Sequence, residues 1–239
     1  MNYKTTISQK LHESLGNLIA STHSGDRLPS EPELARQLGV SRATLREAMR
    51  TFETQGVIRR RQGSGTYVIH SSKVIESGLE ILESIETLAK RIGLPVSMGE
   101  LKIEKRSANE GEAIALALPI DAQVIYLRRV ILAEGRPVAY LTDTIPDDIL
   151  NVHDLEQGFT GSVLDLLIQR GTPILLTSRC EINAVTAIPD VARSLGIQRG
   201  DVLLRFIAYL YDTSDRAVDY SFSYFLPGYF HFHVVRRVG

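Results

Sequence analysis

Residues 25–69 read GDRLPSEPELARQLGVSRATLREAMRTFETQGVIRRRQGSGTYVI, and their punctuation decides the fold of the amino-terminal third. Ser30 followed by Glu33 has capping-box spacing, in which the serine oxygen accepts one free backbone N–H and the glutamate reaches back to another. Pro32 falls near the first helical position, where its missing N–H costs little. Leu34, Ala35 and Leu38 make one apolar stripe, and Gly39 supplies the left-handed residue that ends the helix. Ser41 then caps a second helix running to about Gln55, with Gly56 as its stop. Leu45, Ala48, Met49 and Phe52 have three-to-four spacing and face inward. Arg42, Thr44, Arg46 and Arg50 occupy the opposite face. A short turn sets two such helices at a steep angle, so the second can enter a major groove while the first braces it.

A basic hairpin follows. Val57 to Arg60 and Thr66 to Ile69 have strand composition and are joined by Arg61-Gln62-Gly63-Ser64-Gly65. The glycines permit a positive-φ turn and a tip narrow enough to approach a sugar–phosphate edge. Arg59, Arg60 and Arg61 are placed to neutralise phosphates, which sets affinity and register without reading sequence. Upstream, Ile7, Leu11, Leu15, Leu18 and Ile19 form a helical stripe that would pack on the two helices. The whole pattern predicts a winged helix-turn-helix over residues 1–70, built to bind duplex DNA.

Charge agrees when counted by segment. Residues 1–70 hold 10 Lys+Arg and 6 Asp+Glu, a net of +4, whereas the remainder holds 17 and 22, a net of −5. The near-neutral total hides a basic module on an acidic partner. The alternative, an ordinary solvated helix face, leaves the agreement of caps, turn, helix face and wing unexplained.

Several strings make this module resemble the GntR family of bacterial regulators. They are Leu28-Pro29-Ser30-Glu31, Leu34-Ala35, Val40-Ser41-Arg42, Thr44, Arg46-Glu47-Ala48, Gly56 and Gln62-Gly63-Ser64-Gly65-Thr66-Tyr67-Val68. The resemblance implies DNA contacts from Ser41, Arg42, Thr44 and Arg46 on the recognition helix, with Arg50 on the same face. It adds Gln62, Gly63, Ser64 and Gly65 at the wing tip, beside Arg60. Family members usually carry arginine where this chain has Pro32, so their usual base preference does not transfer.

At 239 residues, 44% of them hydrophobic and 23% charged, the chain has room for one further domain with a proper core. No apolar run approaches the ~20 residues that span a bilayer, and the start MNYKTTISQK has no secretory character. Cys180 stands alone, which excludes a disulfide framework and a zinc-ligand pair of cysteines. A cytoplasmic protein without metal or cofactor is expected. Ser71-Ser72-Lys73 opens a linker placed at 71–78, before a second domain over 79–239. Periodicity predicts a helix from Ile75 to Ile92, with Leu79, Leu82, Ile85, Leu88 and Ala89 on one side, as core or as part of a dimer contact.

From about residue 97 the pattern turns strand-rich. Strands are predicted at Val124 to Ala133, Pro137 to Ile145, Ile174 to Ala184, Val202 to Tyr211 and Val218 to Phe225, with a last one through Phe230, Phe232 and Val234. Helices fit at Glu110 to Leu118, Ser162 to Gln169 and Pro189 to Leu195. The fold class is therefore α+β, a winged helix-turn-helix joined to an antiparallel sheet with helices.

Landmarks in this half resemble the UTRA effector domain of the HutC-type GntR subgroup. They are Arg129 ahead of Ala133-Glu134-Gly135-Arg136-Pro137-Val138-Ala139, then Ile145-Pro146, Ser162, Leu195-Gly196-Ile197 and the segment Tyr211 to Val234. The resemblance implies a chorismate-lyase-like sheet that binds a small-molecule effector and dimerises. Members that bind phosphorylated sugars tend to use two arginines one residue apart on a strand, able to fork around a phosphate. Here Arg129 keeps the first place, while Ile131, Leu141 and Phe225 stand at usually polar positions, which argues for a less charged ligand. The effector candidates are Arg129, Ser162, Arg179, Asp219 and Phe225, and for the four polar ones the alternative is a surface ion pair or helix cap.

No nucleophile with a nearby base and no phosphate loop is legible, so an enzyme is not expected. His231 and His233 share a strand face but lack a third ligand at that spacing. The expected protein is a homodimeric repressor of a metabolic or transport operon, on a palindromic double-stranded operator and released by an effector. An activator of the same architecture, or a lyase-like enzyme with a DNA-binding head, are the alternatives.

Overall fold

The computed structural model describes residues 7–23, 25–54, 56–61, 64–68, 74–156 and 159–238. The chain divides into two compact units, residues 1–74 with 227–229, and residues 75–226 with 230–239.

The first unit contains α1 (Ile7–Ser21), α2 (Glu31–Gln37), α3 (Arg42–Thr54) and a hairpin of β1 (Ile58–Arg61) and β2 (Gly65–Val68). Leu11, Leu15 and Ile19 of α1 meet Leu34 and Ala35 of α2, Leu45, Met49 and Phe52 of α3, and Ile58 and Val68 of the hairpin. The inward residues expected of each stripe thus share one core. Gly39 and Gly56 adopt φ of +65° and +71°, as the predicted helix stops require. The cap of α2 differs from expectation in one respect. Glu33 accepts from Ser30 N–H at 2.9 Å, but the Ser30 hydroxyl donates to the same carboxylate at 2.6 Å. The hairpin has a third partner. Gly25 N–H donates to Val68 O, Val68 N–H to Asp26 O and Leu28 N–H to Thr66 O, each at 2.8 Å, so residues 25–28 edge the wing.

The second unit is built on β4 (Val96–Ser107), β5 (Gln123–Ala133), β6 (Arg136–Pro146), β7 (Leu175–Thr186), β8 (Val202–Asp212) and β9 (Ala217–Phe225). They form one antiparallel sheet in the order β4-β5-β6-β9-β8-β7. Glu134 and Gly135, at φ +49° and +77°, make the tight turn between β5 and β6 that the sequence Glu-Gly-Arg suggests. Ile125, Leu127, Ile145 and Leu210 pack beneath α6 (Val152–Glu156) and α7 (Val163–Arg170), and Leu155, Val163 and Leu167 complete that core. α5 (Glu110–Ala115) packs on β9 and α8 (Pro189–Leu195) on β6.

The helix expected over residues 75–92 is a correction. Ile75–Gly78 is a strand, β3, paired in parallel with β10 (Phe230–His233), and only Ile85–Arg91 is helical, as α4. Alternation decides the first part, since Ile75 and Ser77 are buried and Glu76 is exposed. The apparent stripe was false further on, because Leu79, Ile81 and Leu82 are 40%, 71% and 51% exposed. Ser84 starts the true helix by accepting from Thr87 N–H at 2.9 Å. Of the linker expected at 71–78, residues 71–73 lie outside the described residues and 75–78 belong to this second unit.

Candidate nucleic-acid interface and buried polar cluster

In the first unit the outward residues of α3 and its cap separate by what holds them. Ser41 Oγ accepts from Thr44 N–H at 3.1 Å and lies 2.8 Å from the Thr44 hydroxyl, so both side chains cap the helix while remaining exposed. Arg42 is exposed and makes no ion pair among the described residues. Arg46 is over half exposed, and its Nε donates to Glu31 Oε2 at 2.6 Å. Arg50 lies 3.4 Å from Glu47 one turn back.

Arg60 departs from the sequence expectation. Its guanidinium reaches Glu53 Oε2 at 3.5 Å and Glu31 Oε1 at 3.8 Å and donates to Arg46 O at 3.2 Å, so it braces the head and is not a free phosphate ligand. Glu31 therefore ties α2 to α3 through Arg46 and to β1 through Arg60. Arg59 is exposed and makes no ion pair among the described residues. At the wing, Ser64 Oγ lies 2.7 Å from Tyr67 Oη, which steadies the loop. Gly65 has φ +120°, and a Cβ there would lie 2.4 Å from Arg27 Nε, so glycine makes room for that guanidinium. Gln62 and Gly63 lie outside the described residues.

In the second unit, strand register gathers a different set. Leu127 pairs with Asp143, Asp143 with Ser221 and Arg129 with Leu141, so Arg129, Asp143 and Asp219 share one sheet face. Arg129 and Asp143, both buried, form a hydrogen-bonded ion pair. Ser162, also buried, caps α7 by accepting from Asp165 N–H at 3.0 Å. The Asp165 carboxylate accepts from the Ser84 hydroxyl at 2.6 Å, which links the starts of α4 and α7. Glu86, on the first turn of α4, lies within the fields of Arg129, Asp165 and Asp143, and burial pushes its carboxyl pKa up. Burial, reinforced by the Asp143 charge, holds Asp219 well above the usual carboxylate range against the opposing pull of Arg129.

Two sequence candidates fall outside this set. Arg179 pairs with Tyr209 across the ladder, which puts it on the opposite sheet face, exposed on edge strand β7 and bonded to Glu181 at 2.9 Å. Phe225 shares the face of Arg129 but packs among Phe206, Phe230 and Phe232, with ring centroids 4.8–5.0 Å away. The sequence reading missed Ser84, Glu86, Asp143 and Asp165. Asp143 alone left a signal, as a charge at an inward position of an otherwise apolar alternation. His231 and His233 rings lie 6.0 Å apart, and His231 Nδ1 is 3.8 Å from Glu76. No set of three metal-ligating side chains converges among the described residues. No helix among them is long and apolar enough to cross a membrane.

Comparison with known proteins agrees with this division. Residues 7–68 match the profile of bacterial regulatory proteins of the gntR family, and residues 92–231 match the UTRA domain. The chain is 28% identical over 177 residues to the HTH-type transcriptional repressor NagR of Bacillus subtilis, covering 74% of this chain and 72% of that one. It is 26% identical over 223 residues to the probable fructoselysine utilization operon transcriptional repressor of Escherichia coli, covering 90% and 87%. Among solved structures, PhnF from Mycobacterium smegmatis superposes with a TM-score of 0.65 at 24% identity, over 96% of this chain and 100% of that one. Two matched domains in this order make the chain a transcriptional regulator and not an enzyme, and it belongs to the GntR family, in the HutC-type subgroup whose second domain is UTRA.

Proposed function

We propose that the protein is a homodimeric repressor of a metabolic operon, released from a palindromic operator when a small molecule binds its second domain. The observation that carries this reading is the exposed face of α3, where Arg42 and Arg46 stand beside a helix start already closed by Ser41 and Thr44. In this reading Arg42 and Arg46 address bases, and Ser41 and Thr44 meet the edge of the groove. Arg59 and the wing residues Gln62 to Gly65 hold the backbone, and Arg60 positions the wing. Arg50 joins as a backbone contact at the far end of the helix.

The second domain supplies the rest. Its buried cluster of Arg129, Asp143, Ser162 and Asp219, extended by Glu86 and Asp165, is the effector site; Arg179 and Phe225 are not part of it. Two-fold pairing of the second domains would hold two heads at half-site spacing, because one head reads too few base pairs for specificity. The names of the relatives, a transcriptional repressor and a probable fructoselysine utilization operon repressor, support a negative regulatory sign. Sedimentation of the protein on a palindromic duplex tests the assembly: two chains per duplex are expected, and a tight complex of one chain per duplex contradicts it.

A further inference from the structure

The buried cluster of the second unit sets the carboxyls of Glu86, Asp143, Asp165 and Asp219 around one arginine. Its cation, Arg129, is committed to Asp143. The Asp219 carboxyl is held by the Ser221 side chain and the Thr144 backbone, but among the described residues its Oδ1 and Glu86 Oε1 have no hydrogen-bond donor, and Arg129 Nε has no acceptor. Asp219 and Arg129 are each only 6% exposed, so bulk water does not stand in for those partners. Native interiors keep only a few such atoms, and three of the five among the described residues belong to this one cluster. A network serving stability alone would have closed these atoms on each other.

Resting on the reading of this unit as the effector domain, we propose that the effector is a cationic metabolite, not a phosphate ester. Its protonated amine sits between Glu86 and Asp219, and one of its neutral oxygens accepts from Arg129 Nε. A phosphate would bring further negative charge to a place already holding Asp143, Asp165, Asp219 and Glu86. It would also find no second cation in the ladder positions next to Arg129, where Ile131 follows on the same face and Leu141 stands opposite. Gly161 makes room for the Glu86 carboxyl, since a Cβ there would lie 2.9 Å from Glu86 Oε1. Burial raises the pKa of both carboxyls, and the field of Arg129 only partly offsets it.

The test uses the full-length protein and two pools with matched carbon skeletons. The amine pool holds glucosamine, 1-amino-1-deoxysorbitol and 3-amino-1,2-propanediol; the phosphate pool holds glucose 6-phosphate, sorbitol 6-phosphate and glycerol 3-phosphate. Thermal stabilisation confined to the amine pool is expected, because a ligand specific to the folded state raises its Tm. Asp219→Asn and Glu86→Gln should each weaken the best amine by about tenfold or more, as loss of one partner of a desolvated charge pair does. Both changes keep the size of the side chain and remove the titrating group, so a ligand-free Tm at or above that of the parent shows that the variants are folded. Stabilisation by a phosphate ester, or by none of the amines, overturns the inference. Operator release separates it from the reading beneath it. An anionic compound that releases operator sinks the charge class and leaves the effector reading intact. An amine that saturates the site without changing operator affinity sinks the effector reading.

Discussion

Arg59 and Arg60 are consecutive on β1, and strand alternation sends their side chains to opposite fates. Arg60 turns inward to Glu31, Glu53 and the Arg46 carbonyl, whereas Arg59 points out and makes no ion pair among the described residues. Arg59→Ala should therefore reduce the salt slope of DNA binding by about one unit with Tm unchanged. Arg60→Ala should lower the stability of the head by ~1 kcal/mol, visible in urea melts, because its ion pairs are half-exposed. Arg129 is a harder case, being buried against Asp143. Arg129→Ala strands a buried carboxylate and should cost ~3–5 kcal/mol, while Arg129→Met with Asp143→Leu should restore most of that. Asp219 gives a pH signature because burial, reinforced by the charge of Asp143, raises its pKa. Its folded pKa lies above its unfolded one, near 3.8, so the native state binds the extra proton between the two values. Stability then falls as pH rises through that window, and Asp219→Asn should flatten the fall in a series of melts across it.

The elements divide by whether their signals are local. Capping, alternation and turn chemistry placed α2, α3, the wing and the five strands from β5 to β9, because neighbours in sequence decide each of them. β3 was hidden from that logic, whereas the alternation of Phe230 and Phe232 marked β10. β3 is four residues long and pairs in parallel with a strand more than 150 positions away, and Leu79, Ile81 and Leu82 around Glu80 counterfeited a helix. The cap at Ser84 was the true start signal, and it does double duty, since its hydroxyl also donates to Asp165. Ser84→Ala should thus cost ~0.5–2 kcal/mol in the second unit, at the upper end if the Asp165 link matters. A loss confined to a few tenths of a kcal/mol would show that the tie between α4 and α7 contributes nothing.

For the whole molecule, the two functional regions differ in how far sequence could reach. The DNA-facing residues come from one contiguous stretch, so a resemblance and a helical face suffice to name most of them. The buried cluster is assembled from α4, β5, β6, α7 and β9, and only the strand register shows that Arg129, Asp143 and Asp219 share a face while Arg179 does not. The charge division has the same scale. A head at +4 carried on a remainder at −5 concentrates attraction for DNA in the head and keeps the second domain from competing for it. Linkage then makes the two sites reciprocal: an effector that weakens operator binding is itself weakened by operator, typically by ~5–150-fold. The measurement that bears most directly on the account is affinity for duplex DNA from the gene's own upstream region, against a random duplex of equal length, from about 50 to 200 mM salt. The account predicts a preference of roughly 10³-fold or more for the upstream duplex, affinity that falls steeply with salt on both, and loss of most of the preference in Arg42→Ala. Equal affinity for the two duplexes, or affinity indifferent to salt, contradicts it.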